Sequence, residues 1–476
     1  MFDKLEKAVS VGETLGSNFV EARYDNLTLR TLERFNDSWK DVISRNRSGI
    51  GVTCYFEGSA GYAFSASPES QDIEGIVKKA YKIAKTTAPA VKLNLEFDKQ
   101  PSIKKTGSDA PKSLIQIHPQ DEALDFKIDL VNRAITSARE HGENINTVRG
   151  AYGELYGQKL FVNSEGSKID WDFEVIELRC TVTSKTDEGN LVNGVKSFGG
   201  TRGLEIFKTS GTTPEEIGAI AGTAAKEQLS AKACPAGKFR ALIENLLAGV
   251  LAHESFGHLS EADFVVTGGS PLSGKIDQKL GTEHVTIIDS GTPEITKIGG
   301  LWVPFDDQGI VGGETVVMDK GILKYFLHNR GTAKHLNQVP TGNCRAIHFG
   351  FIPIPRMTNT YFMPGQLTEE EALEQLGTGV YAIQSAGGQV GLGGYFLFKA
   401  IRGYWVENGV KKYPIREVSL SGNILDLLSK VEGATRDLEL RSGYFGGCGK
   451  SGQAPLPVGL GGPKLLISEV TFGGKA

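Results

Sequence analysis

The residues best suited to chemistry form one hexapeptide, His253-Glu254-Ser255-Phe256-Gly257-His258. Neutral imidazole nitrogens bind Zn2+ at about 2.0–2.1 Å, and an adjacent carboxylate that stays off the metal can deprotonate its water. In the common HExxH arrangement the histidines lie four residues apart, about 40° around a regular helix. Here they lie five apart, which on a regular helix turns the second ring about 140° from the first. The spacing therefore predicts a π-type bulge that absorbs one residue, with Gly257 supplying backbone freedom and Asn245 capping the helix. Glu254 is then placed as general base. Two imidazoles leave a catalytic zinc site one protein ligand short. Three sources stay open on the residues alone: Glu261 and Asp263, close in sequence, and Cys448, whose run of small neighbours suits either a metal thiolate or a plain turn.

A site of this kind needs both helix and sheet to hold it, and the sequence supplies them unevenly. Residues 1–18 carry Leu5, Val9 and Leu15 at helical spacing, and Val20–Leu32 alternates with the period of a strand. Ser48–Ala66 reads as a hairpin with Gly58 near its tip, and Ser67 as the cap of a helix through Ile73, Ile76, Val77, Ala80 and Ile83. Ala88–Pro111, rich in Lys and Pro, reads as a linker. A helix fits Glu122–Glu140, short alternating runs fill Ile145–Lys196, and Glu215–Ala233 is helical again. A boundary falls near Pro235, dividing the chain into 1–235 and 236–476. Beyond it lie 39 of the 60 glycines, with helices near Ala248 and Thr368–Leu376 among short β segments. The class expected is α+β: an N-terminal α/β region with helices on a curved sheet, then a β-rich C-terminal domain carrying the bulged metal-binding helix.

Composition narrows the function. With 52 Lys and Arg against 56 Asp and Glu, the net charge of −4 argues against a surface built for nucleic acid. Leu246–Ala252 is the longest apolar stretch, far below the roughly 18 residues that span a bilayer, so no membrane association is expected. The first residues lack the apolar core of a secretory signal. Five dispersed cysteines without a CxxC pair point to reduced thiols and a cytoplasmic location. The glycines at 387, 388, 391, 393 and 394 suit strand turns or the close approach of a substrate backbone, and no GxxxxGK[ST] phosphate loop is present.

The chain resembles the TldD/PmbA proteins, metallopeptidases linked to microcin maturation and historically called modulators of DNA gyrase. The resemblance runs through PAGKFRALIENLLAGVLAHESFGHLSEADF, then FDDQG at Phe305–Gly309, GILKYFLHNRGTA at Gly321–Ala333, PTGNCRA, PIPRMTNTYFMPG, GGQV at Gly387–Val390 and the CGKSGQ around Cys448. It implies one zinc ion per catalytic chain, held by His253, His258 and Cys448, with Glu254 as general base. The HExxxH residues place the chain with the catalytic members rather than with paralogues that lack them. The function implied is a zinc-dependent peptidase acting on unfolded or small peptides held largely by their main chain. The partners implied are a second copy or a non-catalytic paralogue. His328, Arg330, Arg356 and Asn359 fall in family-like segments and are candidates for substrate or oxyanion contacts. The alternative is a non-catalytic, zinc-containing scaffold or regulatory partner.

Overall fold

Four strands of the first half, Phe19–Phe35, Ser38–Phe56, Ile145–Asn163 and Lys168–Lys185, hold 17, 19, 19 and 18 residues. At about 3.3 Å per residue they extend roughly 55–65 Å. A 15-residue helix such as Ile73–Thr87 covers only about 22 Å of that length. Two helix pairs therefore divide the sheet between them in this computed structural model, which describes residues 1–67, 72–91, 96–209, 211–391 and 393–473. Phe2–Thr14 and Ile73–Thr87 bury Leu5, Val9 and Val77 with Val20, Ile50 and Val52. Leu124–His141 and Pro214–Glu227 bury Leu130, Val131 and Ile217 with Val148, Ile176 and Leu178. The sheet has seven strands: Ser59–Ser65 precedes Ser38–Phe56, Phe19–Phe35, Ile145–Asn163 and Lys168–Lys185 in spatial order, and the last pairs with both Leu191–Gly200 and Lys104–Lys105.

Sequence periodicity breaks Ile145–Lys185 into short runs, whereas the structure keeps two continuous strands. Glu154, inside one of those runs, is a buried carboxylate matched by Lys127 at 2.9 Å and Arg30 at 2.8 Å, so a polar residue sits inside a buried strand without ending it. The helix at Ile73–Thr87 is capped by Asp72, whose carboxylate accepts from the Gly75 amide at 2.8 Å, and not by Ser67. Of the expected linker, residues 92–95 lie outside the described chain. The remainder holds only 3-10 turns at Ala88–Ala90 and Gly107–Asp109 and the two-residue strand beside Lys168–Ile169.

The second half is the β-rich part of this α+β fold. Gly379–Val390, Gly237–Ile243, Leu465–Gly473, Ser419–Asn423 and Tyr395–Glu407 pair in that order, and the last pairs back to the first. Such closure removes sheet edges. One short edge stays open, because Gly237–Ile243 pairs only with residues 379–382 of its neighbour, leaving Ser385–Val390 partnered on one side among the described residues. A second sheet of six strands includes Ile287–Ser290, Asn359–Phe362 and Gly459–Gly462. Leu247, Leu251, Phe256 and Leu259 share one core with Phe396, Phe398 and Ile467 of the closed strands and Ile287 and Phe362 of the second sheet. The stretch Leu246–Ala252 is apolar on all sides and belongs in such a place. The two halves are joined by buried charge: Asp307 lies 2.6 Å from Lys159 and 3.4 Å from Arg23. No described helix is long and apolar enough to cross a membrane.

Candidate metal centre

The helix that carries the hexapeptide follows Gly237–Ile243 after a single residue, Glu244, whose carboxylate caps it by accepting from the Leu246 amide at 3.1 Å. Asn245, the cap expected from sequence, is the first helical residue instead. Its side chain donates to the carbonyls of Gly462 at 2.7 Å and Asp437 at 3.2 Å, because it points into the β core rather than back along the helix. The helix is regular over Asn245–Val250 and π-helical over Leu251–Gly257, the distortion that the five-residue spacing predicts. The His258 amide donates to the His253 carbonyl, so one π-type bond joins the two histidines, and their ring centroids stand 5.2 Å apart. Gly257, however, has ordinary helical angles, φ −58° and ψ −52°. It is glycine for lack of space: a Cβ there would meet the Met357 sulfur at 2.0 Å.

Cys448 reaches the histidines from a hairpin, Cys448–Lys450 against Gln453–Leu456. Fully buried Arg356 pins both strands, donating to the carbonyls of Cys448 at 2.7 Å and Gln453 at 3.3 Å. The Cys448 Sγ lies 3.3 Å from His258 Nε2, and the ligand atoms of His253, His258 and Cys448 all fall within 4.8 Å of one another. Tetrahedral N and S donors on one zinc ion lie roughly 3.3–3.8 Å apart, given the usual bond lengths. His253 is 1% exposed, and among the described residues neither ring nitrogen has a hydrogen-bond partner. Burying such atoms unpaired is costly, and a metal ligand bond relieves it. The donors present therefore fit zinc.

The electrostatics favour a thiolate. Burial disfavours charge on Cys448, but the rings of His253 and His258 outweigh it and bring the thiol down to about 5. Burial also opposes charge on His258, and Glu261 and Cys448 overcome it, raising the imidazole to about 11. A divalent cation satisfies the same thiolate and takes the place of the proton at Nε2. Glu254 stands at the mouth of the cluster, its side chain 33% exposed and Oε2 3.9 Å from His258 Nε2. It faces a cavity of about 320 Å3 bounded by Leu259, Phe264, Lys450 and the backbone-rich stretch from Gly388 to Gly391. A larger cavity, about 700 Å3, opens between Leu191–Val195 and Lys399–Ile401, but its walls include no His or Cys.

Residues 236–474 match the PmbA/TldA metallopeptidase C-terminal domain, and residues 117–229 match the central domain of the same family. The chain belongs to the TldD/PmbA family. A metalloprotease of Methanocaldococcus jannaschii is 34% identical over 465 residues, 97% of each chain. A zinc metalloprotease TldD homolog of Saccharolobus solfataricus is 27% identical over 479 residues, the full length of both. The crystal structure of a proposed modulator of a DNA gyrase from Thermotoga maritima matches 99% of this chain and 100% of that one with a TM-score of 0.79 and 23% identity, a likeness of fold.

The other family-like candidates are engaged elsewhere. His328 is held between Thr332 Oγ1 at 3.0 Å and Gln338 Oε1 at 2.5 Å, and burial lowers its pKa to about 4. Arg330 pairs with Glu165 at 2.5 Å and lies over the rings of Phe19 and Phe97. Asn359 exchanges bonds with the Leu301 backbone and donates to the Ser290 carbonyl. Arg356 alone of the four touches the cluster, through the Cys448 carbonyl. Glu261, open as a third ligand on sequence, stands behind His258 with Oε2 2.9 Å from Nδ1. Its place three residues after His258 was the available signal, since such residues share a helix face.

Proposed function

We propose that this chain is a zinc-dependent peptidase, with one zinc ion held by His253, His258 and Cys448 and with Glu254 as general base. The observation that carries the reading is the unpartnered, buried His253 ring gathered with His258 and a thiolate-forming Cys448, beside a carboxylate open to a cleft. Zinc in such a site supplies Lewis acidity, acidifying a water and polarising a carbonyl. Glu254 accepts the water proton as attack proceeds and returns it to the leaving amine. The substrate is an unfolded or small peptide lying extended along the open edge of Ser385–Val390, where main-chain bonding demands little of its side chains. Leu259, Phe264 and Val390 give the cleft apolar walls that suit an apolar side chain next to the scissile bond. The chain works as a homodimer or beside a non-catalytic paralogue, in the cytoplasm.

Glu254→Gln tests this against the scaffold alternative. The variant should hold zinc as the wild type does while cleavage of an unfolded peptide falls about 10²–10⁴-fold. Unchanged cleavage would remove Glu254 from the reaction.

A further inference from the structure

We infer that Glu261 is a positioning residue for the metal site and that Lys450 holds it in place. The inference rests on the zinc reading above. An imidazole ligand has two nitrogens, and the partner of one decides which is free for the metal. Here Glu261 Oε2 lies 2.9 Å from His258 Nδ1. Nδ1 is therefore committed to Glu261, which leaves Nε2, 3.3 Å from Cys448 Sγ, as the nitrogen available to the metal.

Glu261 is itself fixed. It is fully buried, it forms a bridge to Leu327, and the following amide, Ala262, donates to the Leu327 carbonyl at 2.9 Å. The Lys450 ammonium then locks the carboxylate. It lies 3.1 Å from Glu261 Oε2, 2.7 Å from Asp263 Oδ1 and 2.9 Å from the Pro355 carbonyl, so its three protons have three acceptors. Its side chain is 3% exposed. Buried ion pairs of this kind are poor sources of stability, because desolvation offsets the attraction. Their value here is geometric. Lys450 is two residues beyond Cys448 on the same short strand, and both are buried while Gly449 between them is exposed. One hairpin thus delivers the sulfur and clamps the carboxylate that aims the imidazole. The ring orientation of His258 and the arrival of Cys448 become a single structural event.

The test is the Zn2+ dissociation constant of the full chain by chelator competition, for wild type, Glu261→Gln, Lys450→Met and the double variant. It is read alongside the visible spectrum of the Co2+-loaded proteins and the thermal midpoints of the metal-stripped ones. Glu261→Gln should weaken zinc about 10–100-fold and shift the Co2+ bands, as expected of partners that orient metal-bound histidines, and the stripped midpoint should also fall because buried Lys450 loses one of its charged partners. Lys450→Met should weaken zinc in the same direction, and the double variant should bind within about threefold of Glu261→Gln, because the lysine acts through the glutamate. Should Glu261→Gln lose its fold, Lys450→Met supplies the same reading. Zinc affinity and Co2+ spectrum unchanged in both single variants would overturn the inference and leave the zinc reading intact. Wild type that binds no zinc would overturn both.

Discussion

Gly257→Ala separates two physical explanations of one residue. If the glycine serves the backbone, alanine is unfavourable whatever surrounds it. The angles at Gly257, φ −58° and ψ −52°, are those any residue adopts in a helix, so alanine should gain about 0.5–1 kcal/mol from reduced unfolded-state freedom. Against that stands the contact of 2.0 Å that a Cβ would make with Met357, itself fully buried. Overpacking of this kind costs about 1–3 kcal/mol. The single variant should therefore be destabilised by up to about 2 kcal/mol. Met357→Ala alone should cost about 2–5 kcal/mol through the cavity it opens. In that background the new methyl enters free space, and Gly257→Ala should raise stability by about 0.5–1 kcal/mol. The sign of the Gly257 effect thus reverses between backgrounds, a coupling of roughly 1–3 kcal/mol. Thermal midpoints of the four proteins read it, at about 2–4 °C per kcal/mol for domains of 150–250 residues. An equal loss on Gly257→Ala in both backgrounds would refute the packing account and restore the backbone one.

Cys448→Ala removes the thiol gathered with the two histidines, and zinc affinity should fall by more than the roughly 10–100-fold typical of orienting partners. Metal analysis after dialysis checks this, and full retention would exclude Cys448 as ligand. Glu21 predicts a pH dependence: burial raises its pKa from 4.5 to about 7 against the opposing pull of Arg330, Gln308 and Tyr55. Between these values the folded state keeps a proton that the unfolded chain has lost, so this residue lowers stability as pH rises from about 4.5 to 7. Glu21→Gln should remove that slope, gaining up to roughly 3 kcal/mol at pH 8 relative to pH 4.5. Parallel wild-type and variant stability curves across that range would contradict it. Chelation of zinc from the wild type should lower the thermal midpoint, by the equivalent of about 2.7 kcal/mol when free zinc had stood at 100 times its dissociation constant.

Local chemistry was legible in the sequence because it depends on neighbours along the chain. The five-residue separation of His253 and His258 requires a π turn on geometric grounds alone, and the turn is present. The helices at residues 2–14, 73–87, 124–141, 214–227 and 369–376 follow from apolar spacing, and so does the α+β class. What depends on partners distant in sequence was not legible. On the residues alone Cys448 is one of three candidates, and only the family resemblance singles it out; it meets His258 across 190 residues because the hairpin pinned by Arg356 brings it there. Gly257 has the same angles as any helical residue, so its reason lies in Met357, a hundred residues on. His328, Arg330 and Asn359 have the polar chemistry of substrate contacts but are bound into structural networks. Residue type sets what a side chain can do, while packing between distant strands decides which partner it meets, because convergence in space is not encoded in any local period.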